Sequence, residues 1–313
     1  MSEFTQTFEW AGTSSDPTDE QFGDVVEPVD SLDTASEFDA VLLGEPFDRA
    51  VIGRKGAADG PAALREALAS VKTHHFDAGP VGSVGDAGDC TLAFDAAEPP
   101  TVETIQRSVG TLSQRLHDAD TFPVFLGGDN SLTYPNAAPL LDDDSLGVVN
   151  FDAHLDVREV RDDPTSGTPY RQLYGDGLDA YACVGARHFE TSTGYAEFVR
   201  EEGGEIVTAE EVGENSVSAV DTALDAMGDA DSVYVSVDLD VLDAAAAPGV
   251  SAPTPGGIMT RELFRMLRLA ASDDRVAGFE VVECAPSLDR ENLTATAGAR
   301  AIAHFLAALG GGR

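Results

Sequence analysis

Three acidic clusters, each at the end of an apolar run, hold the residues of this chain that could do chemistry. Asn150-Phe151-Asp152-Ala153-His154-Leu155-Asp156 follows Leu146-Gly147-Val148-Val149, which reads as a buried parallel strand. Its carboxylates and imidazole therefore fall at and just past the strand's carboxyl end, where open α/β sheets bind their ligands. Alternation along an extended chain would point Asp152, His154 and Asp156 to one side. A second run, Val233 to Val237, turns acidic at Asp238 and Asp240. A third, Phe122 to Leu126, enters a Gly127-Gly128 turn and ends in Asp129-Asn130-Ser131.

Carboxylates gathered this closely repel one another unless something positive lies among them. Oxygen and nitrogen donors from three strand ends, with few Cys or His, describe a site for a hard or borderline divalent ion of the Mn²⁺ type. The alternative is a set of aspartates capping the segments that follow strands. Three such ends with a histidine among them favour the metal.

The elements that must carry these clusters are legible as strands alternating with helices. Phe38 to Gly44 reads as the first strand, and Pro61 to Leu68 as a helix with proline at its first position. Val102 to Asp118 places Ile105, Val109, Leu112 and Leu116 at helical spacing. Residues Phe76 to Pro100 hold a short strand and loops, and Val157 to Gly175 reads as a polar loop. Further strands are expected at Ala182 to Ala186, Glu205 to Val207 and Val276 to Val282, the last ending in Glu283. Further helices are expected at Tyr195 to Glu202, Val217 to Met227, Ile258 to Ala271 and Ala295 to Leu309. This order predicts an α/β fold with a mostly parallel, doubly wound sheet covered by helices on both faces. Residues 1–37, rich in Asp, Glu, Ser, Thr and Pro, read as a mobile or loosely docked acidic arm, and residues 38–313 as a single domain.

Composition narrows the partners. With 19 basic against 56 acidic residues, the formal net charge is -37. Such a surface repels nucleic acid and anionic membranes. It suits the cytoplasmic protein of a halophile, whose salt screens the carboxylates. Three scattered cysteines, Cys90, Cys183 and Cys284, form no disulfide framework. The start of the chain has no basic and apolar leader, and no apolar stretch nears the ~20 residues a membrane helix needs. Arg54 and Lys55, in the loop before the first long helix, either balance local acids or assist an anionic substrate or a neighbouring subunit.

Three ordered motifs carry a resemblance to a known family. Gly127-Gly128-Asp129-Asn130-Ser131, Asp152-Ala153-His154-Leu155-Asp156, and Ser236 to Asp243 continuing through Pro253-Thr254-Pro255-Gly256-Gly257 resemble the signatures of the ureohydrolases, which include arginase, agmatinase and formiminoglutamase. The resemblance runs from about Phe38 to the chain's end. It implies a three-layer arginase-like fold and two Mn²⁺ ions per subunit. One ion would be held by Asn130, Asp152, Asp156 and Asp238, the other by Asp152, His154, Asp238 and Asp240. Two ions so placed activate water for attack, and Asp156 is expected to carry a proton toward the leaving nitrogen. Asn130 departs from the family pattern, where arginase and agmatinase have histidine, and a neutral amide oxygen is the weaker ligand.

Glu283 is implied to grip the planar cation of the substrate, which a carboxylate can do with paired hydrogen bonds. The runs Asp156-Val157-Arg158 and Ser166-Gly167-Thr168-Pro169-Tyr170-Arg171 resemble the formiminoglutamase branch, which lacks the shuttle histidine of arginase. Arg158, Ser166, Thr168, Tyr170 and Arg171 are thus the expected substrate contacts, with the arginines suited to carboxylates. The implied reaction converts N-formimino-L-glutamate and water to L-glutamate and formamide. The rivals are a urea-releasing hydrolase of agmatine, guanidinobutyrate or arginine, and a metal-poor, non-catalytic subunit. The resemblance also implies a homo-oligomer, trimeric or hexameric.

Overall fold

Predominantly apolar runs form the middle of the sheet, because a strand covered by helices above and below has little solvent-facing side to show. A computed structural model describes residues 4–6, 8–92, 99–141 and 145–309. In chain order its strands are β1 (Phe4–Thr5), β2 (Glu27–Pro28), β3 (Ala40–Gly44), β4 (His74–His75), β5 (Gly79–Pro80), β6 (Val84–Cys90), β7 (Phe122–Leu126), β8 (Leu146–Phe151), β9 (Ala180–Ala186), β10 (Glu205–Thr208), β11 (Ser232–Asp238) and β12 (Val276–Val282). The principal helices are α1 (Phe22–Val25), α2 (Gly60–Ala69), α3 (Val102–His117), α4 (Thr133–Ala137), α5 (Pro169–Asp176), α6 (Thr193–Glu201), α7 (Ala209–Glu214), α8 (Ser216–Ala226), α9 (Thr260–Ala271) and α10 (Leu293–Leu309).

The ten-stranded sheet runs β1-β6-β3-β7-β12-β11-β8-β9-β10, with β2 also paired to β6. All its pairings are parallel except that of β1 with β6. Two apolar cores lie on its two faces, one holding α2, α8, α9 and α10, the other α3 and α5. The α/β, helix-covered architecture expected from the sequence is the one found. Among the described residues, no helix is long and apolar enough to cross a membrane.

Three local expectations are corrected. The described residues of segment 1–37 are docked on the domain: β1 extends the edge of β6, and Phe22, Val29, Leu32 and Ala35 are buried. Gln21 accepts the N–H groups of Thr13 (2.6 Å) and Ser14 (2.8 Å) and donates to the Ser70 carbonyl (2.6 Å). Residues 1–3 and 7 of that segment lie outside the described residues, as do residues 93–98 of the stretch read as a short strand and loops. The segment Val157 to Gly175, read as a loop, contains most of α5. Proline opens that helix and Gly177, at φ 107°, closes it. The short strand anticipated between Phe76 and Pro100 is the seven-residue β6, buried throughout although it carries two aspartates.

Those aspartates are neutralised by Arg65 of α2, which lies wholly inside the protein. Its guanidinium donates to Asp86 through Nε and Nη2, both at 2.9 Å, to Asp89 at 2.5 Å, and to the Gly88 carbonyl at 2.8 Å. Trp10 of the N-terminal segment donates its indole N–H to the same Asp86, at 2.8 Å. Arg65→Met removes the cation and leaves the carboxylates inside, which is expected to cost about 3–5 kcal/mol. Denaturant unfolding checks this, and an unchanged midpoint would show that the carboxylates are solvated.

Candidate metal centre and active site

The sheet's register brings the acidic strand ends to one level. Val237 of β11 lies opposite Phe151 of β8, so Asp238 lies beside Asp152. Asp238 is in turn opposite Val282 of β12, and Leu126 of β7 is opposite Val281. Four adjacent strands, in the order β7-β12-β11-β8, therefore end together. Asn130, Glu283, Asp238 to Asp240 and Asp152 to Asp156 all extend from that edge.

The aspartates do not reach one another by strand alternation. Beyond Phe151 the backbone turns, with the His154 N–H donating to Asp152 Oδ1 at 2.7 Å and Asp156 in left-handed geometry at φ 44°. After β11 the same device recurs: the Asp240 N–H donates to Asp238 Oδ1 at 2.8 Å. Each turn uses one carboxylate oxygen of its first aspartate for capping, so capping and ligation are not alternatives here. Two groups result whose ligand atoms lie within 4.8 Å of one another, Asp152-His154-Asp240 and Asp152-Asp156-Asp238. Asp152 belongs to both.

The electrostatics fit a pair of cations. Burial first, then Asp240 and Asp152, hold Asp238 well above the usual carboxylate range. Burial and the neighbouring Asp152 do the same to Asp156, and burial with Asp240 raises Asp152. Burial alone would lower His154, but the facing Asp240 and Asp152 carboxylates raise it instead. Its Nδ1 is 3.4 Å from Asp152 and 3.1 Å from Asp240. Hard oxygen donors with one imidazole would suit a pair of divalent ions, Asp152 being common to both groups.

Asn130 enters the cluster as a donor. Its Nδ2 lies 2.5 Å from Asp156 Oδ2 and 3.2 Å from the Ser166 carbonyl, while its Oδ1 accepts the Thr133 hydroxyl at 2.7 Å. The atom expected to ligate thus faces Thr133, and a half-turn of the amide exchanges the two atoms. Glu283 sits at φ 63°, an uncommon conformation for a side chain of its size. Its Oε1 accepts the Asn130 main-chain N–H at 3.0 Å. Its Oε2 is buried without a hydrogen-bond partner. Burial and the nearby Asp129 raise its carboxyl well above the usual range.

The expected substrate contacts divide. Arg158 is exposed at the rim, its guanidinium 5.9 Å from the centre of the Tyr195 ring, and Ser166 Oγ accepts the Ile52 N–H at 3.2 Å beside the cluster. Three others have partners within the protein or lie in its core. Tyr170 is wholly buried in the core, its ring 4.8 Å from that of Tyr181. Arg171 donates to the Val157 carbonyl at 2.9 Å, and its guanidinium lies 3.3 Å from the centre of the Phe198 ring, which fastens α6. Thr168 closes its own turn by donating to the Thr165 carbonyl at 2.8 Å. On helix α5, consecutive residues point in different directions, so one run of sequence could not aim all of them at one pocket.

Residues 38–308 match the arginase family model. The chain belongs to the arginase family. Among its relatives, the formimidoylglutamase of Halobacterium salinarum (strain ATCC 29341 / DSM 671 / R1) is 57% identical over 308 residues, covering 97% of this chain and 99% of that one. The crystal structure of formimidoylglutamase from Bacillus subtilis matches with a TM-score of 0.85 and 28% identity, over 94% of this chain and 93% of that one. A formiminoglutamase of Trypanosoma cruzi, solved with Mn²⁺, matches with a TM-score of 0.83 and 25% identity, over 94% and 100%.

In this arginase-family chain several further residues support the site. Asp129 takes the Ala50 N–H on one oxygen and the Ser131 N–H and hydroxyl on the other, and burial raises it to about 6. It thereby fixes the turn that presents Asn130. Gly128 is required beside it, because a Cβ there would stand 1.9 Å from the Phe47 carbonyl oxygen. Arg187 and Glu190, in the turn after β9, border the His154 side of the cluster; Arg187 is signalled in the sequence by its place just after a strand, whereas nothing near Glu190 in the sequence marks it.

Proposed function

We propose that the chain is a dimanganese hydrolase that converts N-formimino-L-glutamate and water to L-glutamate and formamide. The observation that carries this reading is the 57% identity to a formimidoylglutamase across nearly the whole of both chains. The site supports it through a buried, carboxylate-rich centre bordered by an exposed arginine. Its proposed ligands are Asn130, Asp152, Asp156 and Asp238 for one ion, and Asp152, His154, Asp238 and Asp240 for the other. When bound, the two ions supply Lewis-acid activation of water and offset the buried negative charge.

The chain's own groups do the rest. Glu283 Oε2 accepts N–H groups of the formimino cation and sets its carbon over the cluster. Asp156 takes the proton released as water adds to that carbon and delivers it to the glutamate nitrogen, whose bond to the carbon then breaks. Arg158 pairs with a carboxylate of the glutamate part; with Arg171 engaged by Phe198, Arg158 carries that recognition. The same reading includes a homo-oligomer in the cytoplasm of a salt-adapted cell, consistent with the acidic surface.

Arg158→Ala is expected to raise KM about 10- to 100-fold, the worth of one charge-assisted contact, while kcat changes little. Steady-state kinetics with formiminoglutamate tests this. An unchanged KM would place carboxylate recognition elsewhere.

A further inference from the structure

We infer that Glu190 is a positioning residue of the metal centre: its carboxylate, at ion-pair distance from His154 Nε2, draws that nitrogen's N–H outward and so presents Nδ1 to the Asp152–Asp240 side. The inference rests on the proposed dimetal reading and goes beyond its ligand set. A neutral imidazole has one N–H and one lone pair; with ions among Asp152 and Asp240, the acceptor left to the ring is the carboxylate on its Nε2 side, which keeps the proton there. Here Nδ1 faces Asp152 and Asp240, while Nε2 lies 3.7 Å from Glu190 Oε2. A carboxylate behind a ligating histidine fixes both its tautomer and its ring plane.

Glu190 is held where it can act. It ends a turn closed by its own N–H to the Arg187 carbonyl at 3.3 Å, with Phe189 at φ 73°. Arg187 anchors that turn to both ligand-bearing segments. Its main-chain N–H donates to the Ala153 carbonyl at 3.0 Å. Its buried guanidinium donates to the carbonyls of Leu242 at 2.7 Å and Thr254 at 2.9 Å, and also to the Asp240 carbonyl and the Thr254 hydroxyl. Gly257 makes room, since a Cβ there would be 2.3 Å from Arg187 Nη2. The turn thus ties the His154 segment, the Asp240 segment and Glu190 into one unit. A contact from Glu190 to substrate is the competing use, but a carboxylate would repel a substrate carrying two of its own.

The test is calorimetric titration of metal-free protein with Mn²⁺, without substrate, for wild type, Glu190→Ala, Glu190→Asp and Glu190→Gln. Alanine and the shorter aspartate are expected to weaken one of the two sites about 10- to 100-fold and leave the other unchanged. Glutamine, whose amide oxygen accepts the same N–H, should hold that site near wild-type affinity. Turnover of Glu190→Ala should return at saturating Mn²⁺. Tight binding of both ions by Glu190→Ala overturns the inference. So does an increase in KM at saturating Mn²⁺ with unaltered metal affinity, which would make Glu190 a substrate contact. Because the titration needs no substrate, a wrong substrate assignment leaves its outcome readable.

Discussion

An Asp238→Ala protein is expected to lose turnover by ~10³-fold or more, the loss that follows when several kcal/mol of metal-derived transition-state stabilisation disappears. Mn²⁺ titration of the same variant should show at least one site gone. The metal-free comparison should run the other way. Asp238 is raised by burial and by Asp240 and Asp152, so its ionised form opposes folding until a cation arrives. Removing it should raise the melting temperature of metal-free protein while lowering that of Mn²⁺-saturated protein.

The sign of the pH dependence follows from the same groups. Their folded-state values lie above those of an unfolded carboxylate, at about 4. The stability they contribute is therefore full below that value and is lost as pH rises toward the folded-state values. Metal-free protein should weaken over that rise, and Mn²⁺ should remove the effect. Normal activity in Asp238→Ala would end the dimetal scheme.

The second large effect is expected at Glu283. Glu283→Gln should lower kcat/KM by ~10²- to 10⁴-fold, since two charge-assisted hydrogen bonds to the substrate cation are each worth about 1.5–3 kcal/mol. Mn²⁺ affinity should be unaltered, because Glu283 belongs to neither ligand group. Glu283→Gly should be equally impaired yet more stable than Glu283→Gln by about 1 kcal/mol, as glycine adopts φ 63° without strain. Kinetics and thermal unfolding of the two variants separate the substrate contact from the backbone strain. Equal stability would mean that the left-handed geometry carries no strain, and an active Glu283→Gln would place cation recognition on another residue.

Strands buried on both faces announced themselves, because nothing charged interrupts Val233 to Val237 or Leu146 to Val149. Helices α3 and α9 were legible for the opposite reason, one apolar stripe on a charged body. β6 was less plain, since Asp86 and Asp89 are tolerated in a buried strand chiefly through Arg65, a partner on another element. The site's ligands could be located because they cluster within three short motifs, but not their conformation. Asp152, His154 and Asp156 meet through a turn with a left-handed Asp156, which strand alternation does not foresee. The directions of Tyr170 and Arg171 were not legible, because a short helix begins at Pro169, sending the first into the core and the second to Phe198. Glu190 reaches His154 from the end of a different strand, a juxtaposition set by the sheet order.

The most direct measurement is turnover by purified, Mn²⁺-loaded protein in high salt, given formiminoglutamate, agmatine and arginine in parallel, with formamide and urea assayed separately. The account predicts formamide from formiminoglutamate and no urea from the other two. Urea from agmatine or arginine, or no formamide from formiminoglutamate, would contradict it.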